Sequence, residues 1–255
     1  MTAGKLKTAL ITGGAARIGA AIVRDLARHD FAVAIHTNTS TEAAQALAAE
    51  IRTAGGRAEV VRGDLTRTED CEEIVAAAAA AIGPVGLLIN NASVFQRDSI
   101  TEFSPETFER HFALHVKAPS ILTGEFARLL PADRHGLVVN IIDQRVWKLR
   151  PDFYSYTLSK ATLWSATQTM AQALAPRIRV NAIGPGPTLK NERQAEEDFA
   201  RQVEGLILKA GPMLSEFGQT IRFLFDTPSI TGQMLALDGG QHLAWQTPDV
   251  LEIRE

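Results

Sequence analysis

Three ionisable side chains near the middle of the chain have the spacing of a proton-transfer site. Tyr156 and Lys160 stand four residues apart, and Asp143 precedes Tyr156 by thirteen residues. Residues four apart lie on the same face of a helix, which places the Lys160 ammonium beside the Tyr156 phenol. A free phenol has a pKa of ~10 and a neighbouring positive charge lowers it, so the pair predicts an adjustable proton donor. Taken alone, the same pair is more typical of the surface of an amphipathic helix.

The carboxyl group of Asp143 indicates what this site acts on. A hydroxyl at that position would donate a hydrogen bond to a carbonyl oxygen, whereas an ionised carboxylate cannot donate and repels a developing alkoxide. Asp143 therefore suits a substrate with N–H donors or with a C=N bond that awaits a proton. Burial beside Tyr156 would keep the carboxyl partly protonated, so that it can pass this proton to a ring nitrogen. The alternative is a strand-end aspartate that caps the following turn.

Composition and charge exclude several classes of protein. The 255 residues are 45% hydrophobic and 22% charged, as expected of a globular chain that can bury a substantial core. The formal net charge of −3, without a basic block, argues against a nucleic acid or an anionic membrane as partner. The single cysteine, Cys71, excludes an internal disulfide and a cysteine-based zinc site, and is interpreted as a half-buried small residue. No run approaches the ~18 apolar residues of a membrane span and no signal-peptide pattern is present, so we expect a cytoplasmic protein.

Short apolar runs alternate with helix-period segments along most of the chain. The predicted strands are Leu6–Thr12, Phe31–His36, Ala58–Arg62, Gly86–Asn91, Gly136–Asp143, Ile178–Ile183 and Gln233–Leu237. The predicted helices are Ala16–His29, Thr41–Ala54, Thr66–Ile82, Ser104–Leu130 and Tyr154–Leu174. Apolar strands between helices are typical of a parallel sheet covered on both faces, and the alternation predicts a doubly wound α/β fold. We expect one domain, residues 1–255, in which the polar stretch 188–212 forms a helical flap over a site.

The first predicted strand runs into a glycine-rich turn, from Thr12 and Gly13 to Gly19. Glycines at a strand-to-helix turn let the backbone approach a pyrophosphate, and the helix N-terminus presents free N–H groups to it. At the first turn of a repeating β-α pattern, this favours a dinucleotide site over a tight turn without a ligand.

The end of the second predicted strand indicates which dinucleotide binds. An NAD site usually carries an acid there, to hold the ribose hydroxyls. Here the run from His36 to Ser40, which includes Asn38, has no acid before Glu42. Hydroxyl and amide groups together with the Arg17 cation can hold a 2′-phosphate, which a carboxylate would repel. We therefore predict NADPH as the cofactor, with NADH less favoured; the alternative for Arg17 is a solvated first-turn arginine.

Six short motifs in this order resemble the short-chain dehydrogenase/reductase family, over nearly the whole chain. They are the Thr12-Gly13…Gly19 turn, Asp64-Leu65, Asn90-Asn91-Ala92, Tyr156…Lys160, Pro185-Gly186 and Leu237-Asp238-Gly239-Gly240. The family usually has a serine at the position of Asp143 and a glycine at that of Arg17, and both changes are typical of its pteridine reductase branch. A third departure is His115, where many relatives have an asparagine that anchors a proton-relay water. With His111 one turn earlier, it is interpreted as a packing or interface residue, because no third metal ligand is apparent.

The resemblance implies a Rossmann-like domain that binds NADP(H), and it implies a role for each motif. The implied catalytic residues are Asp143, Tyr156 and Lys160, of which Lys160 also bonds the nicotinamide ribose. With the second-strand turn, the expected cofactor-binding residues are Thr12, Gly13, Arg17, Ile18, Gly19, His36, Asn38, Ser40, Asp64, Leu65, Asn91, Ala92, Lys160, Pro185, Gly186 and Thr188. The expected substrate-binding residues are Arg17, Ser93, Phe95, Asp143 and Tyr156, where Phe95 either stacks on a pterin or packs in the core.

These observations predict an NADPH-dependent reductase that transfers hydride to a C=N bond of a dihydropterin or related heterocycle. The alternatives are a reductase for ketones or quinones that tolerates Asp143, and a non-catalytic nucleotide-binding scaffold. Relatives pair two long helices across a two-fold axis, and the same helices here carry apolar residues on more than one face, which predicts a homotetramer. These residues are Phe108, Phe112, Leu163, Trp164 and Met170.

Overall fold

All strands of the computed structural model belong to one sheet, and every neighbouring pair runs parallel. The structure describes residues 5–190 and 194–247, so the predicted domain and the predicted flap extend in part beyond the described residues. The strand order is β3-β2-β1-β4-β5-β6-β7. The strands are β1 (Thr8–Ile11), β2 (Ala32–Thr37), β3 (Ala58–Arg62), β4 (Leu87–Asn90), β5 (Gly136–Ile141), β6 (Ile178–Pro185) and β7 (Met234–Leu237). The order reverses direction between β1 and β4, where a doubly wound sheet opens a crevice for ligands.

Helices cover both faces of the sheet, as the wholly apolar strands predicted. The helices are α1 (Arg17–Arg28), α2 (Thr41–Thr53), α3 (Thr68–Ile82), α4 (Pro105–Phe112), α5 (Ala118–Leu129), α6 (Tyr154–Leu174), α7 (Glu196–Glu204) and α8 (Leu214–Asp226). Successive strand residues point to opposite faces. Ala9 and Ile11 of β1 accordingly pack in the core under α1, α2 and α8, whereas Leu10 packs in the core under α3 and α5. The predicted doubly wound α/β fold is confirmed.

The long helix predicted for Ser104–Leu130 is interrupted. Ser104 is its N-cap, whose side chain accepts a hydrogen bond from Thr107 N–H at 3.2 Å, and a π-helical segment, Ala113–Lys117, separates α4 from α5. Such a segment inserts an extra residue into the helical ladder and often lies at a functional site. This segment contains His115. The periodicity of the sequence could not have revealed the interruption, because it predicts one continuous helix.

Other differences lie at element ends and in the C-terminal third. The first strand is shorter than predicted, and the first helix begins at Arg17 rather than Ala16. Helix α8 was not predicted, although its Phe217, Ile221 and Leu224 have helical spacing and are fully buried. Within the described part of 188–212, α7 is the regular element, and none of its side chains is buried. No helix in the described ranges is long and apolar enough to cross a bilayer.

Candidate active site

A cleft of about 1170 Å³ opens at the carboxyl ends of the strands, from the glycine-rich turn to the start of α6. This volume exceeds that of an ordinary small-molecule pocket, so the cleft can hold a dinucleotide and a second ligand. Most of the residues predicted for cofactor and substrate line it, but Thr12 and Ser40 do not. The lining residues that were predicted are Gly13, Arg17, Ile18, Gly19, His36, Asn38, Asp64, Leu65, Asn91, Ala92, Ser93, Phe95, Asp143, Tyr156, Lys160, Pro185, Gly186 and Thr188.

The glycine-rich turn has the geometry of a phosphate cradle. Gly13 has a φ of +59°, a left-handed conformation that favours glycine. A Cβ on Gly19 would lie 2.3 Å from the Gly13 carbonyl oxygen, so no other residue fits where α1 meets the turn. Thr12 holds the turn to the next motif instead of lining the cleft, because its Oγ1 accepts from the N–H groups of Asn91 and Ala92 at 2.9 and 3.0 Å. The turn therefore fits a dinucleotide pyrophosphate at the start of α1.

His36 is a brace for this turn. Its Nδ1 accepts from Gly13 N–H at 3.2 Å, and its Nε2 lies 3.1 Å from the Gly63 carbonyl oxygen. Because Nδ1 accepts, the proton sits on Nε2, and the ring is neutral. Burial lowers the pKa of His36 to about 4. Both ring nitrogens are therefore used within the protein, and His36 shapes the cofactor site without a free polar group to offer a ligand.

Arg17 reaches across the mouth of the cleft. Its guanidinium donates to the carbonyl oxygens of Leu189 and Lys190 at 3.4 Å, and its φ of +51° is unusual for a residue with a side chain. The position thus retains the backbone conformation of a glycine while it carries a cation. Arg17 thus links the start of α1 to the loop that follows β6.

Asp64 follows β3 and lines the cleft next to the turn that follows β2. Its Oδ1 accepts from the backbone N–H and the hydroxyl of Thr66 at 2.9 and 2.8 Å. The hydrogen bond from Thr66 N–H is the main reason why the pKa of Asp64 is lowered, and the Asn38 amide adds to the effect. An ionised Asp64 next to Asn38 is placed to accept hydrogen bonds from a ligand in this part of the cleft.

Tyr156 and Asp143 meet directly. The Tyr156 hydroxyl donates to Asp143 Oδ2 at 3.0 Å, and Asp143 Oδ1 accepts from Arg145 N–H at 2.8 Å. Asp143 follows β5, whereas Tyr156 lies in the first turn of α6, so the contact depends on how that helix packs on the sheet. The structure thereby brings together the phenol and the carboxyl group that the sequence singled out.

The ionisation of this pair differs from the sequence-based expectation. Burial, followed by the negative charge of Asp143, raises the pKa of Tyr156 well above its ordinary value, where a lowered one was expected. Burial also raises the pKa of Asp143, and the positive charge of Arg145 partly opposes that rise. The pKa of Asp143 thus moves towards neutral pH and that of Tyr156 moves away from it. Asp143 is the better placed of the two to change its protonation state during a reaction.

Lys160 is fully inside the protein and is bound to the sheet. Its Nζ donates to the Ile141 carbonyl oxygen at 2.8 Å and lies 5.8 Å from the centre of the Tyr156 ring. Burial lowers the pKa of Lys160 to about 8, and Asp143 opposes the change. The ammonium therefore carries a charge at neutral pH that the carboxylate of Asp143 stabilises across the site.

His115 connects the loop after β4 to α6. Its Nε2 accepts from Val94 N–H at 3.2 Å and lies 3.0 Å from Ser93 Oγ, while its Nδ1 lies 2.8 Å from Ser159 Oγ. Ser159 donates its own proton to the Tyr156 carbonyl oxygen, so His115 must carry its proton on Nδ1. Burial keeps the pKa of His115 well below its ordinary value. The neutral ring thus joins Ser93 to the backbone of α6.

Phe95 stacks on a partner that the sequence did not suggest. Its ring lies parallel to that of Phe153, with centroids 4.2 Å apart, and meets the edge of Tyr156 at 4.7 Å. Phe153 precedes α6 and has a φ of +60°, which is rare for a bulky residue. Phe153 therefore covers one face of the Phe95 ring, so a ligand can stack only on the opposite face.

Asp98 is a buried acid that sequence reasoning missed. Its carboxylate accepts from Ser155 N–H at 3.1 Å and also binds the Ser155 hydroxyl, while its backbone carbonyl accepts from Phe153 N–H at 2.9 Å. It thus caps the N-terminus of α6, where a negative charge also complements the helix dipole. No local sequence pattern could have predicted this cap, because Asp98 lies 57 residues before Ser155. Within the described ranges, no group of three or more His, Cys, Asp or Glu side chains could hold a metal ion.

Comparison with known families agrees with the fold. The family model of short chain dehydrogenases matches residues 7–200. The chain belongs to the short-chain dehydrogenase/reductase family.

Its similarity to particular proteins is more informative. The structure of FolM alternative dihydrofolate reductase 1 from Brucella suis in complex with NADP is 57% identical, with a TM-score of 0.94, over 98% of this chain and 100% of that chain. Dihydromonapterin reductase from Klebsiella pneumoniae is 28% identical over 236 residues, which are 92% of this chain and 96% of that protein. The 3-oxoacyl-[acyl-carrier-protein] reductase from Synechocystis is 29% identical over 252 residues, 94% of this chain and 98% of that protein. The similarity thus extends to proteins named for dihydrofolate and dihydromonapterin and to one named for a 3-oxoacyl substrate.

Proposed function

We propose that this protein is an NADPH-dependent reductase of the C=N bond of a dihydropterin or a closely related heterocycle. The observation that carries the proposal is the 3.0 Å hydrogen bond between Tyr156 and Asp143, which places a buried carboxyl where a carbonyl reductase needs a hydroxyl donor. The 57% identity with a protein named as an alternative dihydrofolate reductase supports the same substrate class.

NADPH is the cofactor that the site supports. The Gly13–Gly19 cradle fits its pyrophosphate, no acid lies between His36 and Glu42, and the Brucella suis structure contains NADP. When bound, NADPH supplies the hydride which, with one proton, converts a C=N bond into CH–NH and leaves NADP⁺. The Lys160 ammonium is placed to bond the nicotinamide ribose, as the family resemblance implies.

Asp143 and Tyr156 together provide the proton. Burial raises the pKa of Asp143, which favours the protonated form that an acid needs, and the Tyr156 hydroxyl donates to its carboxyl group. A protonated Asp143 donates to a ring nitrogen, and the resulting carboxylate is stabilised by the charges of Arg145 and Lys160. Whenever Asp143 is ionised, it cannot donate to a carbonyl oxygen and would repel a developing alkoxide, so this arrangement suits a carbonyl substrate less well than a serine hydroxyl does.

The test compares two substrates across three proteins. In wild type, 7,8-dihydropterin should be reduced faster than a simple ketone or quinone. Asp143→Ser should slow pterin reduction by roughly 10²–10⁴-fold, as expected for loss of a general acid, while ketone reduction holds or rises. Tyr156→Phe should abolish both. If wild type reduces only the ketone, the protein is a carbonyl reductase; if no variant turns over NADPH, it is a nucleotide-binding scaffold.

A further inference from the structure

Arg145 places a guanidinium group in the wall of the active-site cleft, near enough to Asp143 to act on its charge but without a direct ion pair among the described residues. Its Nη1 is buried and makes no hydrogen bond to the described residues, and no ion pair of Arg145 occurs among them. By contrast, Arg150 on the same loop binds both carboxylate oxygens of Asp152, at 3.1 and 3.2 Å. A buried donor without a partner costs about 1–3 kcal/mol, so its presence calls for an explanation.

Aromatic contacts do not supply that explanation. The guanidinium carbon of Arg145 lies 5.1 Å from the Phe95 centroid and 4.9 Å from the Phe153 centroid, while the two parallel rings are 4.2 Å apart. A cation over the outer face of one ring would be much farther from the other ring, so Arg145 lies at the side of the stack. The edge of an aromatic ring carries the positive end of its quadrupole, and cation–π attraction is therefore absent there.

The position of Arg145 relative to Asp143 indicates its use. Both residues belong to the turn after β5, and the backbone N–H of Arg145 donates to Asp143 at 2.8 Å. The side chain of Arg145 lines the same cleft as Asp143 and Tyr156. The site thus presents a proton-donating carboxyl and, beside it, a cationic hydrogen-bond donor at the rim of an aromatic stack. A flat ligand that fits this pair presents one edge to it. On that edge, a basic nitrogen faces the Asp143 carboxyl group and a neighbouring oxygen accepts from the Arg145 guanidinium.

We propose that Arg145 determines substrate specificity by donating to a ring carbonyl oxygen that lies beside the reducible C=N bond. This inference rests on the proposed function and names its substrate class, which is bicyclic lactams such as 7,8-dihydropterins. In these compounds the carbonyl oxygen and the imine nitrogen share one edge of the ring system. Arg145 thereby holds the edge whose nitrogen receives the proton. A planar guanidinium suits an in-plane oxygen, because its donors lie in a fixed fork.

The experiment measures binding as well as turnover. Oxidised pterin, and the matched pteridine with hydrogen in place of the ring carbonyl oxygen, are titrated calorimetrically into the protein saturated with NADP⁺. Arg145→Met should raise the Kd for pterin roughly 10-fold or more, the loss of a hydrogen bond to a charged donor. For the pteridine without the oxygen, the change should stay below about 2-fold, since no partner is lost. Arg145→Lys should lie between wild type and Arg145→Met for pterin.

Two controls separate this inference from the proposed function. Arg150→Met removes an exposed arginine of the same loop and should leave both Kd values as in wild type, and NADP⁺ affinity reports folding of every variant. An equal effect of Arg145→Met on both ligands, or no effect, overturns the specificity role of Arg145. Tight pterin binding that depends on Arg145, without reduction of 7,8-dihydropterin by wild type, rejects the proposed function and leaves the inference standing. Failure of wild type to bind pterin overturns both.

Discussion

Burial decides the behaviour of the individual residues in this site. The spacing of Tyr156 and Lys160 suggests a phenol with a lowered pKa, yet the structure places Tyr156 in a buried contact with Asp143, which raises it. The same burial lowers the pKa of Lys160 to about 8 and moves that of Asp143 towards neutral. These opposite shifts are the reason why we propose Asp143 as the acid of this site.

Arg17 has two possible roles, to bind the 2′-phosphate of NADPH and to hold the loop after β6, and an experiment can separate them. We expect intact protein to prefer NADPH over NADH, and Arg17→Ala to narrow the ratio of their kcat/KM values roughly 10-fold, because a cation that binds the 2′-phosphate serves NADPH alone. The measurement is steady-state kinetics with both cofactors. Arg24→Ala is the matched control, since Arg24 lies on the same helix and binds Glu50 at 2.8 Å.

An equal loss with both cofactors would contradict this role for Arg17. It would show that Arg17 acts only through its contacts with the carbonyl oxygens of Leu189 and Lys190, which hold the loop after β6. A preference of the intact protein for NADH would also refute the prediction.

At the scale of elements, α6 carries both Tyr156 and Lys160, and its first turn is held by residues distant in the sequence. Asp98 supplies the hydrogen bonds that the first turn of α6 lacks, and Ser155, which it binds, immediately precedes Tyr156. On the opposite side, the π-helical segment carries His115 to Ser159, one turn after Ser155. The loop that carries Asp98 and the π-helical segment that carries His115 thus both position α6.

Removal of the Asp98 cap should weaken both stability and turnover. Asp98→Ala should lower the free energy of unfolding by about 1–2 kcal/mol, because α6 loses its N-terminal acceptor. It should also lower kcat, since Tyr156 loses its fixed orientation. Urea unfolding and steady-state kinetics measure the two effects. Asp152→Ala, which removes a more exposed acid near the same helix start, should show neither; similar losses in the two variants would argue that Asp98 has no special role.

At the scale of the whole molecule, the buried histidine at the cofactor turn makes stability depend on pH. The folded-state pKa of His36 is about 4, below its ordinary value of 6.5. As pH falls from 6.5 to 4, His36 takes up a proton in the unfolded chain but not in the folded protein. The contribution of neutral His36 to the free energy of unfolding is therefore fully present above pH 6.5 and is lost progressively between pH 6.5 and pH 4. His36 alone should cost about 2 kcal/mol between pH 7 and pH 5.

Substitution isolates this contribution from those of other histidines. The unfolding free energy of His36→Asn should change by about 2 kcal/mol less than that of wild type between pH 7 and pH 5, measured by urea unfolding at one protein concentration. Parallel pH profiles for the two proteins would show that His36 is not the neutral brace of the turn.

The edge of the sheet at β7 bears on the assembly of the molecule. Three large apolar side chains, one in α8 and two in the segment that follows β7, are more than half exposed, namely Phe223 at 51%, Leu243 at 61% and Trp245 at 65%. An open strand edge with exposed apolar groups is usually covered by another chain. Leu163, by contrast, packs inside the core and cannot serve an interface as the sequence suggested.

We expect the protein to be a homotetramer in solution. Light scattering at micromolar concentration should give four times the chain mass of 27.6 kDa. Phe223→Lys should reduce the assembly to dimers, because it places a charge in the interface at the β7 edge and leaves the α4–α6 surface unchanged. A monomer in wild type would refute the prediction, and a tetramer that survives Phe223→Lys would assign the second interface to another surface.

The sequence alone was sufficient for the fold and for much of the site, because those signals are local or depend on order. Apolar strands alternate with helices, glycines mark the first turn, and the order of the motifs resembles that of a known family, which implies that Asp143 and Tyr156 belong to one site. Tertiary structure decided the rest. The cap from Asp98, the ring stack of Phe153 and the unpaired donor of Arg145 arise from contacts between distant segments, which no periodicity records. The pKa values were likewise beyond the sequence, since desolvation depends on what surrounds a group in space and not on its neighbours along the chain.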